Sequence, residues 1–463
     1  MKRLCKVFFC LLMLQTQYAV SQDRAWDQGE SREFKEAIVP AIIAGTEILI
    51  LNTAFTLVNW ISGWPWALPT NESIRNNLTT AWQWEYDNFL VNQMGHPLHG
   101  GLKFTAGRLN GFGFYSSAFF TAFGSAAWEI MGEDNQAAIN DFITTIPSSM
   151  IIGEIIYRMS LEAHAAGFPL PVALMFNPVS GIHILISNWK PPDTGRNLHE
   201  LRLYAGGAYA FTNYSVSGSQ KDLFSFEGPY ADIGISAIYG NPFEQDTRIP
   251  FRHFEFSLST GMNPLYYNDV RFHSDGYLIS FSPVYSDTQS MSTGLSAHMD
   301  FKYQGDIHLH DSTINQYSNA LNWTIKYQQL FSETTYMQLK YHAGITFWGA
   351  SKYYSPEGEI DVLNTFGYGV NSKLFFNLGH TKLGRLETYL FYYVLWNYPE
   401  TSGLSQGIVH SLFADITYSY IFSERFSIGI SHSISREWGY FSGLPDTRKR
   451  NNTIRTFAMW SFY

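Results

Sequence analysis

Apolar and polar residues alternate one by one along much of the C-terminal part of the chain. The clearest run covers residues 336–347, and similar runs cover residues 412–422 and 426–433. A period of two places the apolar side chains on one face of a β-strand and the polar side chains on the other. About twelve such segments lie between residues 201 and 463, each close to the length of a strand that crosses a membrane.

The connections between these segments alternate between short and long. Short connections lie near residues 287, 332–334, 380–382 and 423–425, and long ones lie around residues 217, 306–316, 351–361, 399–406 and 443–452. Bacterial outer-membrane barrels have short periplasmic turns and longer external loops. The last strand pattern also closes on an aromatic residue, Tyr463. Residues 199–463 are therefore predicted to form an all-β, transmembrane, antiparallel barrel of about 12 strands.

The preceding residues, 22–198, lack this alternation and are predicted to form an α-helical domain of about three helices. The predicted helices cover residues 34–61, residues 111–132, and a third segment with Pro147 in its first turn and Thr144 or Thr145 as its cap. Residues 65–77 and 167–196 are rich in turn-forming residues and are predicted to be connectors.

The first of these helices is long enough to span a membrane. Pro40 and Glu47 interrupt its apolar residues, and both would weaken membrane insertion. A helix packed against its neighbours is therefore favoured over a spanning helix.

Ionisable and amide side chains recur in the otherwise apolar helical domain. Glu129 and Glu133 are four residues apart, a spacing at which like charges repel unless an arginine or a proton compensates them. Such groups are costly to bury, so each must be paired, hydrated or used in chemistry. We expect a structural polar network formed by Asn92, Arg108, Glu129, Glu133, Asp141, Glu154 and Arg158. The catalytic alternative uses His96, Glu129, Glu133 or Glu154 as a general acid or base.

The spacing of residues in the sequence also bears on two further kinds of site, a metal site and the catalytic site of a serine lipase. Asp306, His308 and His310 alternate in one long connection, where an extended chain would turn all three towards one divalent metal ion. No fourth ligand is evident, so an exposed polar loop is favoured, and no metal or other cofactor is expected. Adjacent histidine and serine residues point to opposite faces of a strand, so a serine lipase is not expected. These pairs are His273–Ser274, His410–Ser411 and His432–Ser433.

The first 21 residues have the features of a secretory signal cleaved after Ser21, namely a basic start, an apolar run and small residues before the cleavage point. Both cysteines, Cys5 and Cys10, lie in this signal, so the mature protein has no disulfide and no cysteine ligand. The net charge of −9 becomes −12 after cleavage, because the signal carries three basic residues and no acidic one. An acidic chain argues against nucleic acid as a partner.

The composition excludes two broad classes of protein. Aromatic residues make up 17% of the chain, which is too many for a disordered protein. The chain is also not apolar enough for a helical membrane bundle.

Motifs in the helical domain resemble those of an N-terminal domain of unknown function that precedes predicted outer-membrane barrels. The resemblance covers about residues 80–185. It rests on Asn92, His96, Pro97, Gly107, Arg108, Trp128, Glu129, Glu133, Asp141, Thr145, Gly153, Glu154, Arg158, Asn177, Pro178 and Gly181. It departs at residues 136–138, where Gln-Ala-Ala stands in place of a Pro-Ser pair. The resemblance implies a location and an architecture, and it assigns no reaction.

The expected width of the barrel limits where the helices can lie. Twelve strands about 4.8 Å apart and tilted near 40° give a diameter of about 24 Å, with about 12–14 Å inside the side chains. One helix of about 10–12 Å would fit inside, but three would not. The helical domain is therefore expected at the periplasmic mouth, or as a plug with one inserted element. Arg202, Lys340, His342 and Asp415 are expected to face the lumen, and their mixed charge implies no ion preference.

These features favour a non-enzymatic channel or envelope structural protein in the outer membrane of a Gram-negative bacterium. The expected partners are outer-membrane lipid and small solutes or envelope glycan. The alternative is an outer-membrane enzyme that acts on lipid, lipopolysaccharide or envelope glycan through a carboxylate and histidine site in the helical domain. The solute and the oligomeric state stay open at this point.

Overall fold

The chain divides into two compact units, Met1–Arg196 and Asn197–Tyr463. The structure is a computed structural model. It describes residues 34–85, 89–187, 196–217, 224–243, 247–263, 267–305, 312–353, 363–398 and 406–462.

The first unit is helical. Its α-helices are α1 (Phe34–Ile61), α2 (Asn71–Thr79), α3 (His96–Leu109), α4 (Phe114–Met131), α5 (Ile139–Ala165), α6 (Leu170–Phe176) and α7 (Pro178–Ser187). A 3-10 turn covers Pro65–Ala67, and a π-helical turn, Val91–Gly95, runs directly into α3. The predicted helical segment is confirmed, and its described part holds seven α-helices where about three were expected.

The start of α5 differs from the prediction. The helix begins at Ile139, so Thr144 and Thr145 lie inside it and do not cap it, and Pro147 is an internal residue. The reason is a backbone partner from another segment: Gln83 accepts a hydrogen bond from the Ile139 amide at 2.8 Å and donates one to the Ala137 carbonyl at 3.0 Å. Such a partner satisfies an amide that a helix start otherwise leaves free.

Both predicted connectors contain helices. In the first, the Thr70 hydroxyl accepts a hydrogen bond from the Ser73 amide, and the Ser73 hydroxyl accepts one from the Thr70 amide. This capping box starts α2, with Ser73 in the position that a glutamate or glutamine usually occupies. The second connector contains α6 and α7, which are short and separated by Asn177.

Helices α3 and α5 pack with their backbones in close approach. A Cβ atom added to Gly153 would lie 2.7 Å from the Phe104 side chain and 2.8 Å from the Gly101 carbonyl oxygen. A Cβ added to Gly100 would lie 2.1 Å from the Ser149 hydroxyl. Glycine is required at this crossing, and the close approach positions the polar residues that flank it.

One helix in the described part of the chain is long and apolar enough to cross a membrane: Ala37–Ile61 within α1. The α6–α7 pair, bent by 118°, would add a second if it counts as one broken span. One face of α1 packs in the core of the helical unit through Ala44, Ile48 and Leu51. Its other face exposes apolar side chains, including those of Val39, Ile42, Leu57, Val58 and Ile61.

The second unit is a closed antiparallel barrel of twelve strands. The strands are β1 (Leu198–Val216), β2 (Phe224–Tyr239), β3 (Phe254–Asn263), β4 (Tyr267–Tyr285), β5 (Gln289–Gly305), β6 (Ser312–Ser332), β7 (Thr335–Tyr353), β8 (Leu363–His380), β9 (Gly384–Asn397), β10 (Gly407–Ser423), β11 (Phe426–Phe441) and β12 (Thr447–Phe462). Each strand pairs with its neighbours in sequence, and β1 pairs with β12 to close the barrel. The predicted barrel of about 12 strands is confirmed.

The two faces of the strands carry the predicted alternation. Ile416, Tyr418 and Ile430 are exposed on the outside, whereas Ser431 and Ser433 are buried. Exposed aromatic residues form a band near each end of the barrel. One band includes Tyr285, Phe331, Phe422, Trp460 and Phe462, and the other includes Tyr209, Phe211, Tyr368, Trp396 and Tyr440. An apolar exterior flanked by aromatic bands is the surface of a barrel that sits in a lipid bilayer.

The short connections gather at one end of the barrel, as predicted. They are residues 286–288, 333–334, 381–383 and 424–425. The connection between β2 and β3 is an exception because it is long, and its described residues, 240–243 and 247–253, lie at the same end. Phe251 has a φ of 58°, and its amide donates to the Tyr277 carbonyl at 2.7 Å, so residues around Phe251 are held against β4.

A charge on the outer surface tests whether this surface faces lipid. Ile345 lies near the middle of β7, is 60% exposed, and pairs with the outward residues Leu321 and Val370. Ile345→Arg should lower the free energy of unfolding by about 2–4 kcal/mol, because an arginine at the bilayer midplane is poorly solvated. The measurement is equilibrium unfolding in lipid vesicles, with Ile345→Leu as the control. Equal stability of the two variants would contradict a lipid-facing position.

Candidate functional site

The polar residues predicted to form one network divide into two groups in the helical unit. The first group centres on Glu154 of α5, which is fully buried. Its carboxylate lies 2.8 Å from Arg108 Nε of α3 and 2.8 Å from Arg158 Nε, one turn further along α5. Arg108 also donates to the Phe112 carbonyl at 2.8 Å and lies 4.8 Å above the Tyr157 ring. This group ties α3 to α5 with its charges compensated.

The second group brings together His96, Glu129 and Asp141. One ligand atom from each lies within 4.8 Å of the others, and His96 Nε2 is 3.8 Å from Asp141 Oδ2. Both carboxylates are fully buried. Glu129 Oε2 accepts a hydrogen bond from the Ala138 amide at 2.9 Å, and Asp141 Oδ1 accepts one from the Asn140 side chain at 2.9 Å. Among the described residues, Glu129 Oε1 and Asp141 Oδ2 have no hydrogen-bond donor.

Burial and neighbouring charges shift the pKa values of this second group. Burial, reinforced by Glu85, raises the pKa of Glu129 to about 7 against the opposing effects of the Ala138 amide and Lys103. Burial and the nearby carboxyl groups raise the pKa of Asp141 well above its usual range. Burial and the adjacent Lys103 lower the pKa of His96 to about 4, which keeps the imidazole neutral.

Lys103 was not among the predicted site residues, although it is buried in the same region. Burial lowers the pKa of its amine to about 7, against the attraction of Glu129 and Glu133. Its Nζ lies 5.8 Å from the centroid of the Trp128 ring. The sequence signal that could have identified Lys103 is its spacing in α3. It follows His99 by four residues and His96 by seven, which places it on the same side of the helix.

The remaining predicted residues lie near the second group. Asn92 is fully buried in the π-helical turn before His96, and its side-chain amide has no hydrogen-bond partner among the described residues. Glu133 lies just past the end of α4 and is buried, so it does not share a helical face with Glu129 as predicted. His99 stacks on Phe55 with ring centroids 4.2 Å apart.

A third buried polar contact in the helical unit was not predicted. Glu47 of α1 lies 2.5 Å from His183 Nδ1 of α7 and accepts a hydrogen bond from the Asn110 side chain at 2.8 Å. These contacts hold α1 and α7 to the end of α3. Glu47, one of the two residues that interrupt the apolar sequence of α1, therefore has partners inside the helical unit.

Asp306, His308 and His310, the metal candidates of the long connection, lie outside the described residues. Their role stays a prediction.

Ion pairs cross the interior of the barrel. Lys340 of β7 lies 2.5 Å from Glu255 of β3, four strands away around the barrel. Lys326 of β6 contacts the same Glu255 at 2.9 Å and Asp275 of β4 at 2.8 Å. These contacts join strands that lie two to four positions apart around the barrel, so they span part of the lumen.

Similar pairs recur along the length of the lumen. Arg202 of β1 lies 3.1 Å from Glu387 of β9, and Lys373 of β8 lies 2.6 Å from Asp300 of β5. Arg271 and Arg455 both pair with Asp232 from two strands away, and Lys449 pairs with Glu437 on the adjacent strand. The four residues expected to face the lumen, Arg202, Lys340, His342 and Asp415, all line its cavity.

Two cavities lie between these pairs. One, of about 540 Å³, lies at the end with the short turns, where Glu200, Lys326 and Lys340 line it. The other, of about 400 Å³, lies further along the interior and is lined by both charged and aromatic side chains. Glu200, Glu255 and Lys340 line both cavities, so charged side chains lie where the two cavities meet.

The structure contains a serine–histidine contact between residues that are not adjacent in sequence, and this contact was not predicted from the sequence. Ser296 and His298 are two residues apart on β5, so both face the lumen, and Ser296 Oγ is 2.7 Å from His298 Nε2. The other ring nitrogen of His298 lies 3.2 Å from Lys373 Nζ. A nucleophile's base is normally oriented by an acceptor, and Lys373 provides none. The contact belongs to the polar network of the lumen.

A family model matches part of the helical unit. Residues 81–171 match the domain of unknown function DUF3943. This DUF3943 region contains α3, α4 and α5. It therefore contains the first group, called here the Glu154 group (Glu154, Arg108 and Arg158), and the second group, called the His96 group (His96, Glu129 and Asp141). The comparison with curated protein sequences finds no match.

Comparison with solved structures returns outer-membrane channels at low similarity. The KdgM porin has 11% identity and a TM-score of 0.20, and the match covers 55% of this chain and 99% of the porin. The P. putida toluene transporter TodX has 8% identity and a TM-score of 0.24, with 58% and 90% covered. An outer membrane channel from Pseudomonas putida F1 has 8% identity and a TM-score of 0.30, with 57% and 96% covered. Because these similarities are low, the barrel is identified from the pairing of its own twelve strands.

The Glu154 group predicts a large effect on stability. Glu154→Ala would leave Arg108 and Arg158 without their shared carboxylate, so the free energy of unfolding should fall by about 3–5 kcal/mol. The measurement is denaturant unfolding of the full-length protein, followed by the helical circular dichroism signal. The control is Glu72→Ala on the exposed first turn of α2, which should cost less than about 1 kcal/mol. A loss for Glu154→Ala as small as that of the control would show that the group does not hold α3 to α5.

Proposed function

We propose that this protein is an outer-membrane barrel that conducts small polar or charged solutes through a lumen gated by ion pairs. The observation that carries the proposal is the contrast between the two faces of one closed sheet. The outside is apolar and banded by aromatic residues, and the inside holds paired charges around two cavities. A polar interior enclosed by a lipid-facing wall is the arrangement that a channel requires.

The proposal includes the route to the membrane and the partner found there. The signal over residues 1–21, cleaved after Ser21, would export the chain to the periplasm. Outer-membrane lipid would then cover the apolar exterior between the two aromatic bands. Both signs of charge line the lumen, so the solute class is small and polar, with no preference for one sign.

The cross-lumen pairs are the proposed gate. Glu255 is the central residue, because it contacts both Lys326 and Lys340 from strands three and four positions away around the barrel. Buried ion pairs contribute little net stability, since their attraction is offset by the loss of hydration. When the pairs separate, water entering the lumen rehydrates the charges. The gate is therefore expected to open at a modest cost in free energy.

A second candidate function is an outer-membrane enzyme that acts on lipid, lipopolysaccharide or envelope glycan. One observation favours it: Glu129 and Asp141 are buried beside His96, each with one oxygen that lacks a donor among the described residues. A carboxyl group with a raised pKa is suited to general acid–base chemistry. This candidate ranks second because the observation points to no substrate, whereas the lumen points to small polar solutes.

Removing one cross-lumen pair should widen the channel. The double substitution Glu255→Ser with Lys340→Ser is charge-neutral and leaves Lys326 paired with Asp275. Single-channel conductance in planar bilayers should rise roughly twofold or more, because the two side chains that extend into the lumen and meet there are gone. Ile345→Ala, on the outward face of the same strand, is the control and should leave conductance unchanged. Absence of conductance in both the wild type and the double variant, before and after removal of residues 22–196, would instead indicate a closed structural barrel.

The proposed role of the helical domain, residues 22–198, is that of a plug or mouth element on the periplasmic side. The same recordings on protein that lacks residues 22–196 test this role. Conductance that appears only after the truncation would support the plug, and equal conductance with and without these residues would contradict it. Heat-modifiable mobility on a gel checks that the truncated barrel has folded.

A further inference from the structure

The His96 group has the geometry of a site for a metal ion. His96 is the first residue of α3, Glu129 lies in the last turn of α4, and Asp141 lies in the first turn of α5. Three helix ends therefore contribute one ligand each. In a tetrahedral zinc site with bonds of about 2.0–2.1 Å, neighbouring ligand atoms are about 3.4 Å apart. His96 Nε2 and Asp141 Oδ2 are 3.8 Å apart, so small side-chain rotations would bring them onto an ion.

The hydrogen bonds of the two carboxylates leave one oxygen of each available. Glu129 Oε2 is held by the Ala138 amide and Asp141 Oδ1 by Asn140, so both groups are oriented. Glu129 Oε1 and Asp141 Oδ2 are buried and have no donor among the residues that the structure describes. Buried oxygens without a partner are rare in native proteins, and a bound ion is one of their recognised explanations. Held carboxylates with a free oxygen are also typical of metal ligands.

The charges around the site point to a cation. The carboxyl groups of Glu85, Glu129 and Glu133 interact electrostatically with Asp141, and Glu85 also shares a hydrogen bond with it. Lys103 is the basic side chain that interacts with Glu129 and Glu133. Ionised carboxylates that are buried without compensation are costly, so either protons or a cation must neutralise them. Neutral imidazole is the form of a histidine side chain that binds a metal.

We infer that His96, Glu129 and Asp141 bind one divalent first-row transition metal ion in the helical unit. One imidazole nitrogen and two carboxylate oxygens suit Zn²⁺ or Mn²⁺ better than an oxygen-only ion such as Ca²⁺. Three protein ligands leave a further position for water or a substrate group. The His96 side chain is 14% exposed, which gives the ion a route of entry.

The Glu154 group serves as an internal contrast. Its carboxylate is compensated by two arginines on both oxygens, so it offers no place for a cation. Within the described ranges, the His96 group is the one set of three such ligands whose atoms come within reach of a common ion. The metal site is therefore inferred from three ligand atoms that lie near one another, and not only from the presence of buried acidic residues.

The test uses the full-length protein in detergent, stripped with a chelator and titrated with Zn²⁺, Mn²⁺ and Ca²⁺ by calorimetry. The wild type should bind one equivalent of Zn²⁺ or Mn²⁺ more tightly than Ca²⁺. Asp141→Asn and Glu129→Gln preserve side-chain shape and should each weaken binding at least about tenfold. His164→Gln, on α5 but outside the cluster, and Glu72→Gln, on exposed α2, are the matched controls and should bind as the wild type does.

A second measurement keeps the inference testable if the isosteric variants do not fold. X-ray absorption of the wild type loaded with one equivalent of Zn²⁺ should show a single imidazole among oxygen ligands. Failure of the wild type to bind any of these ions, binding that both variants retain at full affinity, or a zinc environment without imidazole would each overturn the assignment.

Discussion

In a lipid bilayer no water reaches the backbone, so each amide and carbonyl of a spanning strand must find a partner in the protein. This chain meets the requirement by pairing β1 with β12, which removes both edges of the sheet. Closure then separates the side chains into two environments, because successive residues of a strand point to opposite faces. The apolar exterior and the charged interior are both consequences of closure.

The two units place charges in apolar surroundings and compensate them in different ways. In the barrel, Glu255, Asp300 and Asp232 each contact a lysine or arginine from another strand. In the helical unit, Glu154 is compensated in the same way by two arginines, whereas Glu129 and Asp141 are not. Paired charges are suited to a structural or gating role, and incompletely compensated carboxylates are suited to binding a cation.

Close helix packing makes the second arrangement possible. Glycines at the crossing of α3 and α5 let the two backbones approach, which brings the start of α5 against the start of α3. Asp141 and His96 lie at those two starts. The glycines and the ligand candidates of the DUF3943 region are thus parts of one packing arrangement.

The sequence by itself determined the barrel, its approximate number of strands and the side of each strand that faces lipid, because a period of two is a local property of the extended backbone. It also identified Glu129, Glu133, Asp141 and Glu154 as buried acidic residues, since a charge in an apolar helix is visible without a structure. Only the tertiary structure decided how they group: that Glu154 meets Arg108, that Asp141 meets His96, and that Lys103 joins the second group. The same is true of the contact between Ser296 and His298, and of the start of α5, which depends on Gln83. These partners are set by helix crossings and strand register between residues far apart in the chain, and local patterns do not encode them.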